Sequence, residues 1–170
     1  VTQTMAEISV SAIKKSLSML SEYSAEVGEE IIKAEKKADK YEDKLGSYLV
    51  KVSALELLDE DSAETTKLLH IISDFERISD HAVNVLSSAE EIQDKKLSFS
   101  DKAKDEIMVL ASAVSEIVNL AYKSFAENDL ESAYKVEPLE QVVDDLRDRM
   151  KSKHIKRLQE GRCTIELGFI

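Results

Sequence analysis

Four glycines, one proline, one cysteine and no tryptophan in 170 residues remove several fold classes at once. So few turn formers, in a chain where 34% of residues are charged, argue against the short strands and tight turns of a β protein. The lone Cys163 excludes an internal disulfide framework and has no CxxC companion for a thiolate zinc site or a redox pair. With so little glycine, neither a phosphate-cradling loop nor a GxSxG elbow occurs. Uninterrupted apolar runs are only a few residues long, so no span of a bilayer is expected, and VTQTMAEISV lacks the basic lead of a signal peptide. A positive excess is missing too. The net charge is −11, and the basic residues are interleaved with acids, which speaks against a nucleic-acid surface. A soluble protein of a reducing compartment, the cytoplasm, is the simple expectation. A start at Val1 and an abrupt IELGFI end suggest a fragment, outside which a targeting or membrane segment could lie.

What the sequence does have is helical periodicity. Ile8, Ile13, Leu17 and Leu20 mark a first helix from about Thr4 to Tyr23. A second is expected from about Ala25 to Leu58, with an inner stripe of Ile31, Ala34, Ala38, Tyr41, Leu45, Tyr48, Leu49 and Val52. DEDSAE reads as a break, with Asp61 or Ser62 capping a third helix that carries Leu68, Ile71, Phe75, Ile78, Ala82 and Val85 inward. After the polar link DKKLSFSDKAKDE, Ser100 is the expected cap of a fourth helix that reaches about Ala126. The fifth should run from about Leu130 to Gln159, kinked at Pro138 or starting late near Glu137, and Gly161 is its expected stop.

An internal repeat organises these helices. Glu35, Asp39 and Asp43 recur 105 positions later as Glu140, Asp144 and Asp148, and Ala34, Ala38 and Leu45 recur as Leu139, Val143 and Met150. The expected architecture is all-α: two tandem three-helix bundles at residues 1–95 and 99–170, the second truncated in its last helix.

The repeated acids are the candidate chemistry. Glu35, Asp39 and Asp43 climb one side of the second helix at i, i+4 spacing, as Glu76 and Asp80 do on the third. With Leu45 and Phe75 as stripe centres, Glu35 and Asp39 lie about 80° and 120° round, and Glu76 and Asp80 about 100° and 140° round. They flank the core. Like charges at this spacing repel, and a cation such as Mg, Ca, Mn or iron held by carboxylates from two helices would offset the repulsion. A solvated edge balanced by Lys33, Lys36, Lys37, Lys40 and Arg77 accounts for the same pattern. Spacing leaves both readings open.

Nothing else in the chain forms a catalytic constellation. His81 falls on the side away from Glu76 and Asp80 and reads as a surface or interhelical histidine. His70 and His154 are scattered, and no histidine completes the Glu-x-x-His pair of di-iron bundles. Cys163 reads as a packing residue. No nucleophile with a base and an orienting partner occurs, so no enzyme is expected, a di-metal hydrolase or oxygenase included.

At DFERISDHAVNV the third helix resembles the Asp-x-Glu-Arg-Ile-x-Asp-His-x-x-Asn pattern of the PhoU family, and EKKADKYEDKL resembles that family's other acidic motif. The ending LEQVVDDLRDRMKSKHIKRLQEGRCTIELGFI looks closer still to the PhoU-like domain that follows the membrane domain of bacterial sodium-dependent phosphate cotransporters. The resemblance implies a pair of three-helix bundles able to bind multinuclear iron or zinc. The implied ligands are Glu35, Asp39, Glu76 and Asp80 in the first repeat and Glu140 and Asp144 in the second, with Asp43 and Asp148 as weaker additions. The second Glu-Arg-x-x-Asp of the pattern would fall about ten residues past Ile170. The same resemblance implies a non-enzymatic regulator of phosphate uptake, on the cytoplasmic side of a transporter's membrane domain; the alternative is a metal-free helical module that docks a phosphate transporter or signalling kinase. A homodimer is compatible with it, and direct insertion into a membrane is not expected.

Overall fold

The computed structural model describes residues 1–163 and contains five α-helices, α1 (Thr2–Met19), α2 (Ala25–Ser53), α3 (Asp59–Asp94), α4 (Asp101–Glu127) and α5 (Leu130–Gln159). Among the described residues there is no strand. The helices form two compact units, one running Val1–Leu86 and one beginning at Ser87, so the division falls within α3.

In the first unit, α1 packs on α2. Met5, Ala6, Val10, Ala12, Ile13 and Met19 line its buried side. Ser24 caps α2 by accepting a hydrogen bond from the Val27 N–H at 3.4 Å, satisfying one of the first-turn donors. That helix ends at Ser53, short of the expected Leu58, and α3 starts at Asp59, ahead of the expected caps. Asp59, Glu60 and Asp61 thus occupy the first turn of α3, where the positive end of the helix favours acids.

Two glycines set the register of α2 on α3. A Cβ built on Gly28 would lie 3.3 Å from Leu86 Cδ1 and 3.8 Å from Met19 Cε, so α1, α2 and α3 meet at this level. A Cβ on Gly46 would lie 3.8 Å from Ile72 Cδ1. Gly28 against Leu86 and Gly46 against Ile72 is an antiparallel pairing. Because the contact at Gly46 is of ordinary van der Waals length, Gly46→Ala should raise the stability of this unit by about 1 kcal/mol in chemical denaturation through helix propensity alone. The tighter approach at Gly28 should make Gly28→Ala gain less.

The buried faces are turned from those expected. In α3, Ile72, Phe75, Ser79, Ala82, Leu86 and Ala89 are buried, while Ile71, Ile78 and Val85 are only half-buried. In α2, Gly28, Ile31, Ala38 and Leu49 are buried, whereas Tyr48 is 63% exposed. Relative to Leu45 and Phe75, both buried faces are displaced toward the acidic edge, by about 50° in α2 and about 10° in α3.

In the second unit, α4 packs on α5. Ser100 caps α4 by accepting from the Ala103 N–H at 3.3 Å, as expected. Left-handed Asn128 (φ 53°) ends it. α5 continues through Pro138 without a late start. The hydrogen bond that proline removes belongs to the Tyr134 carbonyl, on a residue 78% exposed, where water can replace it. Gly161 (φ 67°) ends α5 as expected, with the Gly161 N–H on the Leu158 carbonyl and the Arg162 N–H on the Arg157 carbonyl.

No residue of α4 is fully buried, and Met108, Val109, Leu130, Tyr134, Val142 and Ile155 are exposed. Two helices cannot enclose a side chain on all sides. Contrary to the reading from uninterrupted runs, α4 is long and apolar enough, by length and composition, to cross a membrane. The reason is that Ala, Val, Ile and Leu dominate it without being contiguous; Glu116 and Asn119 interrupt them near its middle.

Asp129 joins the two helices. It accepts from the Ser132 hydroxyl at 2.8 Å and from the Glu131 N–H at 3.0 Å, and pairs with Lys123 at 3.0 Å. The Ser132 hydroxyl, then Lys123 and the Ser132 N–H, hold its carboxyl at about 2, down from 3.8. A depressed folded-state pKa adds stability that is present above the unfolded value and lost as pH falls from 3.8 to about 2. Wild type should therefore be more stable than Asp129→Asn at pH 5, and the difference in thermal midpoint should shrink as pH falls from about 4 through about 2.

Candidate functional site

The Gly28–Leu86 and Gly46–Ile72 register brings the acidic edges of α2 and α3 to the same level. Continued between those contacts, it sets Glu35 level with Asp80, and Asp39 and Glu42 level with Glu76. Glu35, Glu42 and Glu76 are half-buried, and Asp39 and Asp80 exposed. This follows from the displaced faces: the helices bury the side on which these acids stand.

Glu76 feels the acids of both helices. Burial raises the pKa of Glu76, and the negative charge of Asp80, a hydrogen bond with Asp80, and the charges of Glu42 and Asp39 raise it further. Four carboxylates on two helices therefore share one field. A carboxyl whose pKa is raised in the folded state costs stability once it ionises, so the cost grows as pH climbs past the ordinary glutamate range. Glu76→Gln should accordingly raise the thermal midpoint at pH 7, in the absence of divalent metal, and change it little near pH 4. An unchanged midpoint at pH 7 would show that the acids do not strain one another.

Glu42 is the member that the i, i+4 ladder passed over. The signal was present, since at 100° per residue Glu42 lies about 60° from Leu45, closer to the core than Glu35 or Asp39. Asp43, a weaker candidate from the same ladder, lies about 160° round and is exposed.

The second repeat is built differently. Glu140 is exposed on α5 and Asp144 half-buried. Arg147 pairs with Asp144 at 2.8 Å and with Asp148 at 3.2 Å. By the repeat offset Arg147 stands where the first unit has Glu42. One charge reversal thus turns a mutually repelling set of acids into a neutralised one.

The PhoU domain family matches residues 2–89 and again residues 107–169. The chain belongs to that family. Both matches contain one copy of the acidic repeat, so the two PhoU repeats differ at Glu42 and Arg147 within a shared pattern. Among curated proteins, the chain is 24% identical over 164 residues to the "Phosphate-specific transport system accessory protein PhoU homolog" of Clostridium acetobutylicum, covering 95% of the chain and 72% of that protein. It is 23% identical over 103 residues to the "Phosphate-specific transport system accessory protein PhoU homolog 1" of Thermotoga maritima, covering 61% of the chain and 44% of that protein. No solved structure matches the chain.

The donor chemistry of the first PhoU repeat suits a hard or borderline cation, because all its candidate ligands are carboxylates. Their present side-chain positions do not yet make a binding site: among the described residues, no three His, Cys, Asp or Glu side chains converge closely enough to hold a metal ion. His81 and His70 are exposed. His154 instead lies beside Cys163, with Nδ1 3.4 Å from Sγ. Cys163 is thus more than a packing residue, and no spacing rule in the sequence foretold its partner. The TIELGFI end of the segment resembling the cotransporter domain lies outside the described residues.

Proposed function

We propose that this PhoU-family chain is a regulatory, non-enzymatic module of phosphate uptake that works through a transporter's membrane domain on the cytoplasmic side. The observation that carries the reading is the match of both PhoU repeats together with the four-carboxylate edge of the first. In this reading Glu35, Asp39, Glu76 and Asp80 bind iron or zinc after side-chain rotation brings them together, and ionisation of Glu76 is coupled to metal uptake. Arg147 makes Glu140 and Asp144 the weaker set. The likeness of the α5 region to the cotransporter domain favours a transporter whose membrane segment belongs to the same polypeptide.

A second reading has the acidic edge dock a transporter or kinase without metal. Elemental analysis of the purified chain separates the two, with metal lost in Asp39→Asn and Asp80→Asn expected for the first. The regulatory role itself is tested by deleting the region encoding residues 1–170 and measuring phosphate uptake. Higher uptake in the deletion is expected of a negative regulator, and unchanged uptake would count against regulation.

A further inference from the structure

Within a chain of net charge −11, seven Lys and Arg residues fall between 147 and 162 against only Asp148 and Glu160. The end of α5 brings Lys153, Lys156 and Arg157, with Arg162 just beyond, beside Lys102 at the start of α4 in an open cleft of about 830 Å³. Asp101, Glu106 and Glu160 share the cleft, leaving it with more positive than negative groups. Glu106 is already held by Lys153 at 2.9 Å and Arg157 at 3.1 Å, and Glu160 by Arg162 at 3.4 Å. Lys102 and Lys156 make no ion pair among the described residues.

The cleft adjoins a cavity of about 210 Å³ through Ser100, Glu106, Arg157 and Arg162. Phe99, Ala103, Ile107 and Met150 form apolar walls of that cavity. At about 30 Å³ per water, it has room for roughly seven waters, which an apolar body would displace. Cations at a mouth that leads to apolar walls select a ligand with two ends. Guanidinium and ammonium groups suit a phosphate in particular.

We propose that this site binds an organophosphate, with its anionic head against Lys102, Lys156 and Arg162 and its apolar body between Phe99, Ala103, Ile107 and Met150. The head can come from a soluble nucleotide or from a phospholipid. The site lies in the second unit and does not depend on metal binding by the first.

The test titrates the isotope-labelled 170-residue chain separately with adenosine monophosphate, short-chain phosphatidic acid and inorganic phosphate, following amide resonances around Ser100 and Arg157. At least one organophosphate should shift them with an affinity about tenfold or more above that of inorganic phosphate. Adenosine monophosphate acting alone assigns a soluble ligand, and phosphatidic acid acting alone a lipid headgroup. Lys102→Glu combined with Lys156→Glu should weaken binding at least about tenfold, and Ala103→Leu, which fills the cavity, should do so without changing the response to inorganic phosphate. Thermal melts identify any variant that has lost its fold. Equal binding of inorganic phosphate, no shift at about 10 mM organophosphate, or binding that survives both folded variants would overturn the assignment.

Discussion

Zinc or manganese, added at about a hundredfold over its dissociation constant, should stabilise the first unit by about 2.7 kcal/mol. For a chain of this length that corresponds to a rise in thermal midpoint of about 5–10 °C. The physical source is the carboxylate edge of α2 and α3, where Glu76 is raised by burial and by the charges of Asp80, Glu42 and Asp39. A divalent ion converts that repulsion into attraction and supplies the incentive for the side chains to converge. Asp39→Asn and Asp80→Asn should each leave the metal-free midpoint unchanged or higher, because each removes a repelling charge, and each should abolish most of the metal-dependent rise. Differential scanning calorimetry with and without metal reads both effects. A wild-type midpoint indifferent to metal, beside variants that are merely more stable, would sink the metal site and leave the edge as a docking surface.

Ile31→Ala should cost the first unit about 3 kcal/mol, the largest effect expected of a single substitution here. Ile31 is fully buried in α2, one turn beyond Gly28, where α1 and α3 also meet. Removing three carbons leaves a void that these helices can close only by moving together, and the register through Gly46 and Ile72 opposes that. Ile31→Val should cost only about 1 kcal/mol, because it removes one carbon and leaves a much smaller void. Urea denaturation followed by circular dichroism measures both. A loss below about 1 kcal/mol for Ile31→Ala would mean that α2 is not enclosed as described.

The acidic edge shows where reading from sequence works and where it stops. Glu76 and Asp80 were legible as a pair because both stand on one helix, four residues apart, and the helical period alone makes them neighbours. Glu42 was passed over because an i, i+4 template ranks residues by their distance along one helix, whereas the field at Glu76 depends on the distance across to α2. Likewise, Ile71, Ile78 and Val85 are as apolar as Ile72 and Leu86, so composition could not decide which row of α3 would face inward. Arg147 was visible as a residue, but its grip on both Asp144 and Asp148 is a matter of rotamers.

By itself the sequence determined the properties that reside in neighbouring residues: the all-helical class, the caps at Ser100 and Gly161, the span of α5 and the 105-residue repeat of acids. Such features depend on hydrogen bonds and side-chain contacts within a turn or two of chain. Only the tertiary structure decided how far each helix rotates about its axis and which levels of α2 and α3 coincide. Those are set by close packing between residues distant in the chain, Gly28 with Leu86 and Gly46 with Ile72, and a rotation of a few tens of degrees is enough to move an acid from solvent to the margin of the core.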